Sequence, residues 1–318
     1  MKYIKKLSSK LLLVLGVIVL GIIVWQVIVS KRVIGDAKKL KQVQSIEQIQ
    51  ELLKNKGLKT YNAVSHHSFS KIKLNGVNAY ILKGNEYAVY VSDYIRRHLE
   101  VTINKDELFL HLQSLNGFPV NSFFETPVLI FMPEDPQLVY YAKQENSLIS
   151  LHKIYGFRGE NTLLSGEGSN VCIYTDMPYI NVNQQDNFLI LFTSSLDSTL
   201  RLSHVQINVN AENSKFDLND QISDSTNVNI QLQESFIGQI TINPNSRVGT
   251  LRLIGSLRNE DNQSMNINYP GQADSLIIQL KNHSEITRYF LDLSKGLSGR
   301  FESIDLEYPH NILIERDK

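Results

Sequence analysis

From about position 69 onward this chain is built of brief apolar–polar–apolar units. That period of two confines it to β-strands with one face turned inward. Leu200-Arg201-Leu202, Val205 to Val209, Phe216-Asp217-Leu218 and Val228 to Leu232 come in close succession. Ile240-Thr241-Ile242, Leu251-Arg252-Leu253, Ile278-Gln279-Leu280, Leu291-Asp292-Leu293 and Ile304-Asp305-Leu306 continue the rhythm. Asn, Asp, Ser and Gly fill the gaps as turn formers. The alternation places Ile207, Ile230 and Leu253 inside and Asn229 outside.

The earlier part of the chain carries the same signal. Ile72-Lys73-Leu74, Tyr80-Ile81-Leu82, Val89-Tyr90-Val91, Leu99 to Ile103 and Leu108 to Leu112 read as strands, and Gly76, Gly84-Asn85 and Asn104-Lys105-Asp106 read as turns. Pro127 to Met132 is a further apolar strand, closed by Pro133 and Pro136, neither of which can donate to a ladder. Two architectures produce this pattern, stacked β-sandwich domains and a parallel β-solenoid. The later units are short, and no Asn-Gly or Asp-Gly hairpin signal lies between them. The expectation is therefore an all-β chain wound as a parallel β-solenoid (β-helix) over 61–318.

The first sixty residues differ. Leu11 to Val29 is apolar except for Gln26, and basic residues flank it on both sides. At 1.5 Å per residue the run extends roughly 28 Å, close to the hydrocarbon thickness of a bilayer. It is longer than the apolar core of a cleaved signal and lacks a small-residue cleavage site. It predicts a retained single-pass transmembrane helix over 11–29, after a leader at 1–10. Lysines and arginines nearly balance across the run, so charge alone does not orient it. The signal-like layout puts the leader in the cytoplasm and the bulk of the chain outside.

Leu40, Val43, Ile46, Ile49, Leu52 and Leu53 then recur at helical spacing, predicting a juxtamembrane amphipathic helix within 30–60, capped by Asp36 and ended by Gly57. Its apolar stripe can pack on the domain beyond or pair two copies as a homo-oligomer.

From Phe69 the order of elements resembles a bacterial family, the autotransporter-adhesin head domain, also called the GIN domain. Phe69-Ser-Lys-Ile-Lys-Leu-Asn-Gly76 is similar to its opening phrase. The strand, Gly84-Asn85 turn, Ala88 to Ser92 strand, Leu99 to Ile103 strand and Asp106 to Leu110 strand follow in the family's order. Val128 to Pro133 matches its Pro-terminated strand. Ser165-Gly166-Glu167-Gly168-Ser169 looks like one of its Ser-Gly turns, and Thr193 to Ser198 like a degenerate second. Most of the family's other turns of this type are missing. The resemblance implies a right-handed β-solenoid displayed beyond the bacterial cell membrane, facing the periplasm or exterior, with no established reaction.

No Gly-x-Ser-x-Gly elbow, His-Glu-x-x-His, phosphate-binding loop or paired-cysteine metal site occurs. The expectation is a non-enzymatic envelope module with no cofactor and no metal. Adjacent His66 and His67 point to opposite faces of an extended chain. Cys172 is the only cysteine, so no intrachain disulfide forms, and it reads as a strand residue. The 32 basic and 32 acidic residues balance, which argues against nucleic acid as a partner.

Rows of Asn, Gln, Ser, Thr and Tyr on the outer faces suit a glycan or another envelope polymer, and Tyr140, Tyr141, Tyr174 and Tyr179 are the aromatics available for stacking on sugar. Two alternatives stand beside this. One is a polysaccharide-cleaving β-helix using Asp217, Asp292, Asp305, Arg201 and Arg252. The other is a purely structural or signalling ectodomain.

Overall fold

The computed structural model describes the backbone of residues 2–113, 126–143, 149–197, 202–221, 223–243, 246–258, 264–268, 272–281, 288–292, 300–306 and 312–315. Side chains are described mainly over 14–258.

The chain opens with α1 (Lys2–Gln42) and α2 (Ile46–Lys54). It continues through β1 (Tyr61–Ser65), β2 (Lys71–Asn75), β3 (Ala79–Lys83), β4 (Ala88–Ser92), the short α3 (Asp93–Arg96), β5 (Leu99–Asn104) and β6 (Glu107–Leu112). Next come β7 (Val128–Met132), β8 (Leu138–Tyr141), β9 (Ser150–Tyr155), β10 (Leu163–Glu167), β11 (Asn170–Thr175), β12 (Tyr179–Gln185) and β13 (Phe188–Thr193). The second half holds β14 (Val205–Glu212), β15 (Lys215–Asp220), β16 (Ser225–Thr241), β17 (Arg247–Leu257), β18 (Ser264–Asn268), β19 (Gln272–Lys281), β20 (Arg288–Asp292), β21 (Arg300–Leu306) and β22 (Ile312–Glu315).

These strands form one 22-stranded network in two ladders that share β16. The first runs β5–β6–β2–β8–β10–β12–β14–β16–β17–β19–β21. The second runs β1–β4–β7–β3–β9–β11–β13–β15–β16–β18–β20–β22. Between them lies one apolar interior. Its rows are register partners: Val182, Val209, Ile230 and Leu253 stack in succession, and all four are buried. Ile207 sits in the neighbouring row between Ile180 and Val228, also buried, while Asn229 is exposed. The period-two reading of these positions is correct.

The expected parallel solenoid is not what is found. The molecule is an all-β wall, nearly closed around its interior, with mixed strand order. Pairs β1–β4, β4–β7 and β5–β6 are antiparallel, and β2 and β3 each lie between strands that do not follow them directly in the chain. A local turn makes the difference. Lys105 adopts a left-handed φ of 56°, so Asn104 and Glu107 pair directly and the chain folds back as a hairpin. Within the anticipated turn from Ser165 onward, Ser165 and Gly166 still belong to β10, and the break between β10 and β11 falls at Gly168, whose φ is 61°, and Ser169.

The helices depart from expectation as well. Among the described residues no helix is long and apolar enough to cross a membrane. The predicted transmembrane segment is corrected accordingly: α1 runs without a break from Lys2 to Gln42, with no boundary near Ser30. Part of the 11–29 run, including Leu11, Leu12 and Leu13, lies outside the residues whose side chains are described.

Asp36 does not cap a helix. It lies buried inside α1, where its Oδ2 accepts from the Thr60 backbone N–H and hydroxyl, both at 2.8 Å. The Ser92 hydroxyl donates onward to Thr60 Oγ1 at 3.0 Å. The helix that needs a cap is α2, and Ser45 provides it by accepting from the Gln48 N–H.

Leu40, Val43, Ile49 and Leu58 pack on Tyr61, Tyr80, Leu82, Leu129, Phe131 and Tyr155, forming a second core outside the second ladder. This helical cover explains why all five residues of β7 are buried, where a strand with one solvent face would alternate. The apolar stripe of the helical segment packs on the domain beyond it, with Leu40, Val43 and Ile49 buried there and Ile46, Leu52 and Leu53 partly buried. Asp36→Ala should cost about 2–3 kcal/mol by removing a charged acceptor from two buried donors. Urea unfolding of the variant checks this, and Asn229→Ala, at an exposed position of β16, serves as the neutral control.

Candidate binding face on the first ladder

The outer face of the first ladder is lined by residues that the alternation turns away from the core. In β2, Ile72 and Leu74 go inward and Lys73 outward, and in β6, Leu108 and Leu110 go inward and Phe109 outward. In β8, Val139 and Tyr141 go inward and Tyr140 outward. Lys73 is the register partner of both Phe109 and Tyr140, so these three residues of distant sequence form one row.

The Lys73 ammonium lies 5.7 Å from the Phe109 ring centre and 5.5 Å from that of Tyr140. Each distance suits a cation–π contact, and together they hold the lysine between two half-exposed rings. The His111 ring lies parallel to Phe109 at 6.0 Å and extends the platform. The Tyr140 hydroxyl donates to the Glu167 carboxylate at 3.0 Å. Partial burial and that carboxylate both raise the Tyr140 pKa, so the phenol stays protonated.

Beyond Tyr140 the row continues as Ser165, Asn183, Asn210 and Gln231. A parallel row holds Asn181, Asn208 and Asn229, in which the Asn208 amide donates to Asn181 Oδ1 at 2.9 Å. Successive side chains in such rows repeat at the strand spacing of about 4.8 Å. The face therefore offers an aromatic and cationic end and an amide end.

The four tyrosines singled out in the sequence divide. Tyr140 stands in the platform, and Tyr179, half-buried at the start of β12, shares its ladder face with Asn181 and Asn183. Tyr174 lies on the other ladder, stacked on Phe192 at 4.5 Å with nearly parallel planes. Tyr141 points into the core, 4.7 Å from the buried His152 ring, and is out of reach of a surface ligand. Burial raises its phenol pKa far above the ordinary value. The sequence marks Lys73, Phe109 and His111 as strand residues and Glu167 as part of a turn, not as binding residues, although the parity of β2 and β6 already turns the first three outward.

The residues considered for polysaccharide cleavage do not converge. Asp217 is half-buried on the second ladder, where its Oδ1 accepts from the Gln239 N–H at 2.9 Å. Burial raises its pKa, with Lys215 and backbone donors acting in the opposite sense. Arg252 is exposed on the first ladder. The backbones of Asp292 and Asp305 belong to β20 and β21, again on different ladders, and their side chains lie outside the described residues. Arg201 lies outside them altogether.

His66 and His67 are both exposed beyond β1. Among the described residues no group of three or more His, Cys, Asp or Glu is placed to hold a metal ion. Cys172 is a strand residue, as expected, and burial pushes its thiol up to about 11, so it stays protonated.

No family model matches the chain, and no curated protein does. Solved structures similar to it include a candidate adhesin from Bacteroides fragilis, at 12% identity and a TM-score of 0.29, covering 72% of this chain and 87% of that one. A candidate lipid-binding protein from Parabacteroides distasonis matches at 10% identity and a TM-score of 0.30, covering 72% and 88%. A candidate cell adhesion protein from Clostridium sporogenes matches at 15% identity and 0.20, covering 70% and 97%. Likeness at this level assigns neither a family nor an activity.

Proposed function

We propose that this protein is a non-enzymatic adhesion or binding module of the bacterial cell envelope, and that the outer face of the first ladder takes an extended glycan. The observation that supports this most is the row in which Lys73 is held between Phe109 and Tyr140 and which continues into Ser165, Asn183 and Asn210. Ring faces accept the apolar faces of sugars, and the amides donate to and accept from hydroxyls. A flat row of such groups suits a chain-like ligand better than a compact one. The element order from Phe69, which resembles that of the adhesin-head (GIN) family, supports the same reading.

The location belongs to the proposal too. Val17, Leu20 and Trp25 on α1 are each about two-thirds exposed, an arrangement that water penalises and a lipid bilayer accepts. The reading puts α1 against a cell membrane and the β wall outside the cytoplasm.

A glycan array of the full chain tests the binding role. Retention of one or more extended polysaccharides is expected, with Tyr140→Ala and Lys73→Gln each weakening retention about tenfold, the equivalent of about 1–1.5 kcal/mol from lost ring and cation–π contacts. Tyr174→Ala, on the other face, should leave it unchanged. No retention of any glycan, or equal loss in all three variants, would contradict the proposal.

A further inference from the structure

Where the exposed apolar part of α1 ends, the helix and the segment before β1 leave a cavity of about 310 Å³. Ile28, Lys31, Arg32 and Lys39 line it from α1, and Lys59 closes it from the segment before β1. The helical positions 28, 31, 32, 35, 36 and 39 fall at three- and four-residue spacings, so one face of α1 supplies them all. Gly35 adds no side chain to fill the space, and nothing lies within 4 Å of where its Cβ would be. Four cations thus surround one concavity.

The lone carboxylate there, Asp36, is already taken up by the Thr60 N–H and hydroxyl. The Lys39 ammonium donates to the Gly57 carbonyl, which holds it at the rim. Lys31, Arg32 and Lys59 are exposed. A cavity of this charge takes an anion with several acceptor oxygens, and a guanidinium beside ammonium groups suits phosphate.

We infer that this cavity binds the phosphate of an anionic lipid headgroup. The lipid is favoured over a free phosphate because Ile28 forms part of the lining and Val24, Trp25 and Val27 stand exposed on the turn before it. A phosphate seated among Lys31, Arg32 and Lys59 would carry its acyl chains along that apolar surface. The inference rests on the placement of α1 against a bilayer.

The test is flotation of the full chain with vesicles of phosphatidylcholine alone and of phosphatidylcholine with phosphatidylglycerol. Binding to the neutral vesicles reports the placement of α1, and the added affinity for the anionic ones reports the cavity. Arg32→Gln/Lys59→Gln should keep neutral-vesicle binding and lose roughly tenfold to thirtyfold of the anionic gain, as expected for two cations near a charged surface. Lys38→Gln/Lys54→Gln, which removes two exposed cations outside the cavity, should keep most of the gain.

Equal losses in the two double variants would reduce the effect to overall charge and overturn the inference. So would titration of the full chain with soluble glycerol phosphate that shows saturable binding, lost in Arg32→Gln/Lys59→Gln, without any vesicle preference. Failure to bind either vesicle would overturn the placement of α1 itself.

Discussion

Ile230→Asp should unfold the β wall, while Asn229→Asp one residue away should leave it intact. Ile230 is fully buried between Val209 and Leu253, its register partners on β14 and β17. A carboxylate there meets only hydrocarbon, so it must be buried charged and unpaired or protonated at the expense of stability. The loss of apolar burial and the added polar group together cost at least about 4 kcal/mol, a large share of the stability of an ordinary domain. Asn229 is exposed in an outer row, and a new charge there should change stability by less than about 0.5 kcal/mol. Thermal melts of the two variants check the pair, and closely similar midpoints would show that the faces of β16 have been assigned the wrong way round.

His152→Phe should become more stable relative to the parent protein as the pH falls from 6.5 to 4.5, by about 2–3 kcal/mol. Burial lowers the His152 pKa from 6.5 to about 3, so the imidazole stays neutral in the fold while the unfolded chain takes up a proton. Stability from this group is therefore fully present above pH 6.5 and is lost toward pH 3, at about 1.4 kcal/mol per pH unit.

Asp176 acts in the opposite sense. Burial raises its pKa from 3.8 to about 6, so the fold gains stability as the pH drops through that interval. The two largely cancel in the parent's own pH profile, and only the difference between parent and variant isolates the histidine. Among the described residues its buried Nδ1 has no hydrogen-bond partner, and the Tyr141 hydroxyl nearby has none either. A difference that stays flat with pH would show that water or a proton acceptor reaches the ring.

The inner surface was largely legible in the sequence because period two is a direct consequence of strand geometry. Ile207, Ile230 and Leu253 needed nothing more. The same pattern is silent on the direction of a neighbouring strand, so it marks the turn at Asn104-Lys105-Asp106 without the antiparallel pairing of β5 and β6. That hairpin depends on Lys105 accepting a left-handed φ, which a lysine adopts without advertising it.

In Leu138-Val139-Tyr140-Tyr141 every residue is apolar or aromatic, so parity cannot separate the outward Tyr140 from the buried Tyr141. Only the register with Lys73 and Leu74 settles it. The platform itself joins β6, β2 and β8 across long sequence separations, and no local motif marks it. Asp36 misled for a related reason. An acidic residue before an amphipathic run resembles a cap, but its true partner is Thr60, 24 residues away.

Hydrogen–deuterium exchange of the full chain, with and without a polysaccharide that it retains, tests the central claim most directly. Ligand should slow exchange in β2, β6, β8 and β10, around Lys73, Phe109, Tyr140 and Ser165, and leave β11 and β13 around Tyr174 and Phe192 unchanged. Protection confined to the second ladder would place the binding surface on the opposite face and contradict the account.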